Sequence, residues 1–264
     1  MTFAPLIRTV RSGVVHIEFR RQGQRIASGS GFLSKGLLIT NNHLFRGPPD
    51  CTVALGIQPT QDPRSREEVI IPYQTFARAL VSGSDERNFD FAILRLPELQ
   101  AEARHNFELR APTDVSIGDP VLVLGFPLEH RNLVCHAGAI SSLYSSGPTN
   151  VIQLDASVNQ SNSGGPLVDP SNGNVLGIVT RKATGLSGLF DQILAAFDQN
   201  ISALNGVKGH MNISGFDPAM PMIHAQHQMK ALSQEIQRSA NVGIGYAFSS
   251  EHVLSDAGYS ALAE

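Results

Sequence analysis

Ser163 lies in the run Ser161-Asn162-Ser163-Gly164-Gly165-Pro166-Leu167. A serine followed by two glycines and a proline can present its hydroxyl on a sharp turn. Glycine allows backbone conformations and close approaches that other residues resist, and consecutive N–H groups in such a turn can bind an oxyanion. Alone, Ser-Gly-Gly is an ordinary turn. His43 ends the run Gly29–Leu44, which reads as a hairpin closing in a polar turn; a lone histidine at a strand end is ordinarily a satisfied surface residue. Asp90 precedes the apolar run Phe91–Leu96 and alone reads as the residue that closes a turn. Together the three describe one chemistry. A serine nucleophile needs a base for its proton, and that base needs a carboxylate to fix its tautomer and steady the imidazolium. His43, Asp90 and Ser163 occur in the order His–Asp–Ser, and each gap is long enough to hold several strands.

The elements that must position these residues are mostly strands. The chain has 264 residues, 42% of them hydrophobic and only 16% charged, with 24 Gly and 15 Pro. Low charge with many turn formers points to a loop-rich β protein and excludes a disordered chain or a helical bundle. The net charge of −3 argues against a general electrostatic grip on nucleic acid or an anionic membrane. Short strand-like runs fill the chain to about residue 182: Gly13–Arg20, Gln24–Leu33, Leu37–Thr40, Cys51–Leu55, Glu68–Ile71, Thr75–Val81, Phe91–Leu96, Val121–Gly125, Leu133–Tyr144, Val151–Ala156 and Val175–Thr180. A joint rich in Pro and Asp at Arg110–Asp119 divides them. Two β units are expected, 1–112 with His43 and Asp90 and 113–264 with Ser163. Leu189, Ile193, Phe197, Ile201 and Leu204 recur at helical spacing, with Ser187 and Gly206 as candidate ends. Asp217-Pro218 opens a second helix lined by Met222, Ala225, Met229, Leu232 and Ile236. A helical hairpin of about 184–240 thus interrupts the second unit, before a final strand Gly243–Phe248 and a short C-terminal helix.

The sequence resembles the trypsin-like serine peptidases of the chymotrypsin fold, and is closest to their bacterial Deg/HtrA-like branch. The resemblance rests on GSGFLSKGLLITNNHLF (29–45), NFDFAILRLP (88–97), GDPVLVLGFPLE (118–129), HAGAISSLYS (136–145), LDASVNQSNSGGPLVD (154–169), NGNVLGIVTRKA (172–183) and NVGIGYAFSS (241–250). It implies two six-stranded β-barrels with the active site in the cleft between them. It also implies Ser163 as nucleophile, His43 as general base and acid, and Asp90 as the orienting carboxylate. The oxyanion hole would use the N–H groups of Ser161 and Ser163, with Asn162 between them. The family usually has Gly where this chain has Ser161, and a side chain there restricts the backbone that shapes the hole. Ser157, six residues before the nucleophile, corresponds to the base of the primary specificity pocket. Thr180, Arg181, Lys182 and Ile244 correspond to its walls. Ser157 carries no charge, so cleavage after a small or medium aliphatic residue is expected rather than after Arg or Lys.

Other departures matter too. Activation by zymogen clipping and a PDZ-like domain are not expected, and the hairpin stands where the family has a short loop. The hairpin holds Met211, Met220, Met222 and Met229, which could pack its seam or form an adaptable surface for a regulatory partner or self-association. His210, His224 and His227 lie near one another, but no Cys or clustered carboxylate completes a ligand set, so neither metal nor cofactor is expected. Cys51 and Cys135 sit in apolar runs and read as buried free thiols. Arg8 and Arg11 interrupt any apolar signal core, which together with the thiols suggests a cytoplasmic protein. An active serine endopeptidase acting on protein or peptide substrates is the leading expectation. The alternative is a catalytically silent double-barrel module that binds peptides or protein partners.

Overall fold

The computed structural model describes the chain except residues 1, 60, 61, 63, 101–103, 128, 129, 160, 181–184, 211–215, 240–242 and 262–264. After a short helix α1 (Ala4–Val10), the first half supplies strands β1 (Val14–Arg21), β2 (Gln24–Ser34), β3 (Leu37–Thr40), β4 (Thr52–Ile57) and β5 (Glu67–Pro72). Helix α2 (Tyr73–Arg78) and strands β6 (Leu80–Ser84) and β7 (Phe91–Leu94) follow. The seven strands form an antiparallel sheet in the order β5-β4-β1-β2-β3-β7-β6. Alternation along β1 sends Val15, Ile17 and Phe19 to one core, where they meet Leu38, Val53, Leu55 and Leu94 from three other strands. One sheet therefore curls around one core.

The second half supplies β8 (Pro120–Gly125), β9 (Val134–Ser146), β10 (Thr149–Asp155), β11 (Pro166–Val168), β12 (Val175–Thr180) and β13 (Ile244–Ser249). These close into a barrel, β10-β13-β12-β11-β8-β9. Its interior holds Val121, Val123, Ile152, Leu154, Leu167 and Val179. A third cluster joins the two sheets: Phe32, Ile39 and Phe91 of the first pack with Leu122, Leu124 and Val168 of the second. Two short helices, α5 (Glu251–Leu254) and α6 (Ala257–Ser260), end the described chain and place Tyr259 in this seam. The mainly β architecture agrees with the chymotrypsin-type plan expected from sequence, with seven strands in the first sheet among the described residues.

Several local readings need correction. Thr75–Val81, read as a strand, is α2 followed by the start of β6. The turn of helix brings Phe76 into full burial against Phe19 and Phe45, so packing overrides the β-rich local sequence. Strand β11 went unseen because it is three residues long and directly follows two glycines. Cys51 is buried but Cys135 is exposed, since the alternation of β9 turns it outward.

Residues 182–242 form a second compact unit, inserted in the chain between β12 and β13. It consists of α3 (Gly185–Val207) and α4 (Ala219–Ser239). Helix α3 starts before Ser187, and Gly206 lies one residue before its end. Asp217 does start α4: its Oδ1 accepts from Ala219 N–H at 2.9 Å and its Oδ2 from Gly209 N–H at 2.8 Å. Lys230 and Asp198 pair across the two helices. Met222, Met229 and Leu232 are exposed along α4. Met211 lies outside the described residues.

Candidate active site

The residues after Ser163 show why the sequence reads Ser-Gly-Gly. Gly164 has φ +87°, and a Cβ there would lie 2.1 Å from the Ser30 carbonyl oxygen and 2.3 Å from Thr40 Oγ1. At Gly165 a Cβ would lie 2.3 Å from the Leu124 carbonyl oxygen. The chain thus passes between β2–β3 of the first sheet and β8 of the barrel with no room for side chains. Hydrogen bonds hold it there: Gly164 N–H donates to Val179 O (2.8 Å), and Ser30 N–H donates to Ser163 O (2.8 Å). Ser163 is 6% exposed, and its hydroxyl has no hydrogen-bond partner among the described residues.

His43 follows β3 in a 3₁₀ turn, and Asp90 immediately precedes β7, the neighbour of β3. Antiparallel pairing of these strands brings the two residues together. His43 Nδ1 lies 2.8 Å from Asp90 Oδ2, and His43 N–H donates to Asp90 Oδ1 at 3.0 Å. The second contact orients the carboxylate along the ring edge. Asp90 itself adopts φ +46°, a left-handed conformation that Asp tolerates better than most residues. Asn41 Nδ2 donates to the Asp90 carbonyl at 2.8 Å. Asp85, five residues earlier, is exposed and accepts from Arg87 N–H and Asn88 N–H of its own turn. Asp90 is the carboxylate that meets the imidazole.

Thr180, expected as a pocket wall, makes a further contact to the carboxylate. It is buried, and its hydroxyl donates to Asp90 Oδ2 at 3.1 Å. The carboxylate thereby receives a donor from the barrel as well as from the first sheet. No sequence spacing signalled this contact. Ser157 is exposed beyond β10, and Ile244 opens β13 at 41% exposure. Arg181 and Lys182 lie outside the described residues. Beside Ser157, Val158 packs over Gly245, where a Cβ would meet Val158 Cγ2 at 2.3 Å.

The turn before Ser163 has a distinctive backbone. Asn162 N–H donates to Asn159 O at 3.2 Å, closing a four-residue turn, and its third residue, Ser161, has φ +71°. Positive φ at that position is the signature of a type II turn and is usually met by Gly. The N–H groups of Ser161 and Ser163 have no acceptor among the described residues. Asn162 is fully buried, and both polar atoms of its side chain lack partners among the described residues.

The chain matches the trypsin-like peptidase domain over residues 29–178, which contain all three triad candidates. It is 35% identical over 165 residues to "Protease Do-like 1, chloroplastic" of Arabidopsis thaliana, covering 58% of this chain and 33% of that protein. It is 29% identical over 247 residues to "Serine endoprotease DegS" of Escherichia coli (strain K12), covering 84% of this chain and 61% of that one. The chain therefore spans between a third and three-fifths of the length of these relatives. Among solved structures, "HtrA-type protease AlgW with tripeptide" superposes with a TM-score of 0.54 at 24% identity, over 68% of this chain and 54% of that one; this likeness concerns the fold. The chain belongs to the trypsin-like peptidase family, in its Deg/HtrA-like branch.

Proposed function

We propose that the protein is a serine endopeptidase that cleaves peptide bonds through an acyl-enzyme formed on Ser163. The observation that carries this reading is the His43 Nδ1–Asp90 Oδ2 contact of 2.8 Å, with Asp90 held by Thr180 and the neighbouring Val179 carbonyl holding Gly164 N–H, next to Ser163. In the first step His43 Nε2 takes the proton of Ser163 Oγ as the oxygen attacks the scissile carbonyl carbon. Asp90 accepts from Nδ1–H, which keeps Nε2 free as the base and then stabilises the imidazolium. The carbonyl oxygen gains negative charge and accepts hydrogen bonds from the N–H groups of Ser161 and Ser163, with Asn162 completing the turn between them. The imidazolium passes its proton to the leaving amine, and the C–N bond breaks. Water, deprotonated by His43, then releases the acyl group and regenerates Ser163. The chemistry uses only side chains and backbone donors.

A fluorophosphonate probe tests the reading directly. It is expected to label the wild-type protein, and Ser163→Ala is expected to abolish labelling. His43→Ala and Asp90→Asn are each expected to lower kcat by about 10³–10⁴-fold. Labelling retained in Ser163→Ala removes the nucleophile assignment. An unlabelled wild type favours the silent peptide-binding module instead.

A further inference from the structure

We infer that Ser28 is a positioning residue for the oxyanion turn: its hydroxyl, paired with that of Ser161, holds the turn in the state that presents the Ser161 N–H to substrate. The inference rests on the serine endopeptidase reading above. Ser161 occupies a position where positive φ is needed, yet it carries a Cβ that disfavours that φ. Type I and type II turns differ by a flip of the central peptide, so a turn that relaxes to negative φ at its third residue also turns that residue's N–H around. Something other than intrinsic preference must hold Ser161 at +71°.

Two bonds from β2 do so. Ser28 Oγ and Ser161 Oγ lie 2.7 Å apart, a contact between residues 133 apart in sequence. Ser30 Oγ donates to the Ser161 carbonyl, also at 2.7 Å. The two serines differ in what else they do. Ser30 is fully buried, accepts from Phe126 N–H at 3.0 Å, and uses its own N–H for Ser163 O. It is bound into the seam between the sheets, and its loss would disturb the fold. Ser28 is half-buried, and its hydroxyl has no hydrogen-bond partner among the described residues other than the Ser161 hydroxyl. Its effect is confined to the turn. A glycine at 161 would tolerate φ +71° without help and would offer Ser28 nothing to hold. The serine at 161 therefore makes the turn dependent on Ser28.

The experiment measures fluorophosphonate labelling of the full chain as a function of probe concentration, separating the maximal labelling rate from the half-saturating concentration. Ser28→Ala is expected to lower the maximal rate about five- to tenfold, the equivalent of one neutral hydrogen bond, with the half-saturating concentration unchanged. Ser161→Ala, which removes the other hydroxyl, is expected to give the same loss, and Ser28→Thr to retain the wild-type rate. In a Ser161→Gly background, Ser28→Ala is expected to have no further effect. Unchanged labelling in both alanine variants overturns the inference while leaving the peptidase reading intact. An equal loss from Ser28→Ala in the Ser161→Gly background also overturns it, because the effect would then be structural. Absence of wild-type labelling overturns the peptidase reading and this inference with it.

Discussion

Each site residue is set by one or two contacts whose chemistry can be changed singly. Gly164 combines positive φ with a backbone approach that leaves no space for a methyl group. Gly36 has a similar φ of +72° but nothing within 4 Å of its missing Cβ. The pair separates conformational cost from steric cost. Gly36→Ala is expected to destabilise the fold by about 1 kcal/mol, the cost of a left-handed alanine. Gly164→Ala adds a clash with the Ser30 carbonyl and is expected to cost at least about 3 kcal/mol. Urea unfolding at neutral pH measures both, and equal costs would deny the close approach. Val158 makes a second local prediction. Its side chain fills the space above Gly245, next to the uncharged Ser157, so cleavage is expected after Val, Ala or Leu. Profiling on a peptide library checks this, with Val158→Ala expected to admit larger residues. Dominant cleavage after Lys or Arg would sink the assignment.

Among the elements, β1 carries a buried histidine that couples stability to pH. His16 is fully buried and stacks on Phe126 with ring centroids 4.8 Å apart. Arg66 Nη2 lies 3.0 Å from His16 Nδ1, and Arg66 Nη1 donates to the Arg131 carbonyl at 2.7 Å. A guanidinium donates, so Nδ1 accepts and the ring is neutral. Burial first, and the Arg66 charge second, lower its pKa from 6.5 to about 4, while Glu18 opposes them weakly. Because the folded value lies below the unfolded one, the unfolded chain takes up the proton first as pH falls. The stability linked to His16 is complete above about pH 6.5 and is lost as pH falls through 4. About 2 kcal/mol of it is expected to be gone by pH 5. Half-buried His105 and His136 shift the same way, so the test is a difference. Urea midpoints of the wild type are expected to fall more steeply between pH 7 and pH 5 than those of His16→Gln. Parallel profiles would reject the linkage.

At the scale of the molecule, the departure from a plain two-sheet peptidase is the unit of residues 182–242. Its chain leaves at the end of β12 and returns at the start of β13, two strands that pair in the barrel, and β12 ends at Thr180. Its second helix exposes Met222, Met229, Leu232 and Ile236, an apolar set that water does not favour leaving uncovered. We propose a regulatory role for this unit on these two facts. Replacing residues 184–240 with a short Gly-Ser loop is expected to alter kcat/KM, measured on a small peptide and on a folded protein after circular dichroism confirms the β signal. A rise on both substrates marks an inhibitory element, and a selective loss on protein marks a docking element. Unchanged values on both would make the insertion a passive addition.

Much of this was legible before any coordinates, because it depends on residues close in sequence. Alternation named the strands, Gly-Gly after Ser163 announced a tight turn, and the motifs around His43, Asp90 and Ser163 carried the family resemblance. The Ser161 departure was visible as a residue type in the wrong conformational class, and its φ of +71° follows from that same turn. What the sequence could not decide lies in contacts between elements. It named Asp90 from its place in a motif, and antiparallel pairing of β3 with β7 set that carboxylate against the imidazole. It gave no sign that the barrel turns the Thr180 hydroxyl toward Asp90. It read α2 as strand, because only the core shows that Phe76 must reach Phe19. It was silent on Ser28, whose partner lies in another sheet. Local spacing constrains φ, ψ and the face a side chain takes; which groups meet across a seam is set by how two sheets pack, and no period in the sequence records that.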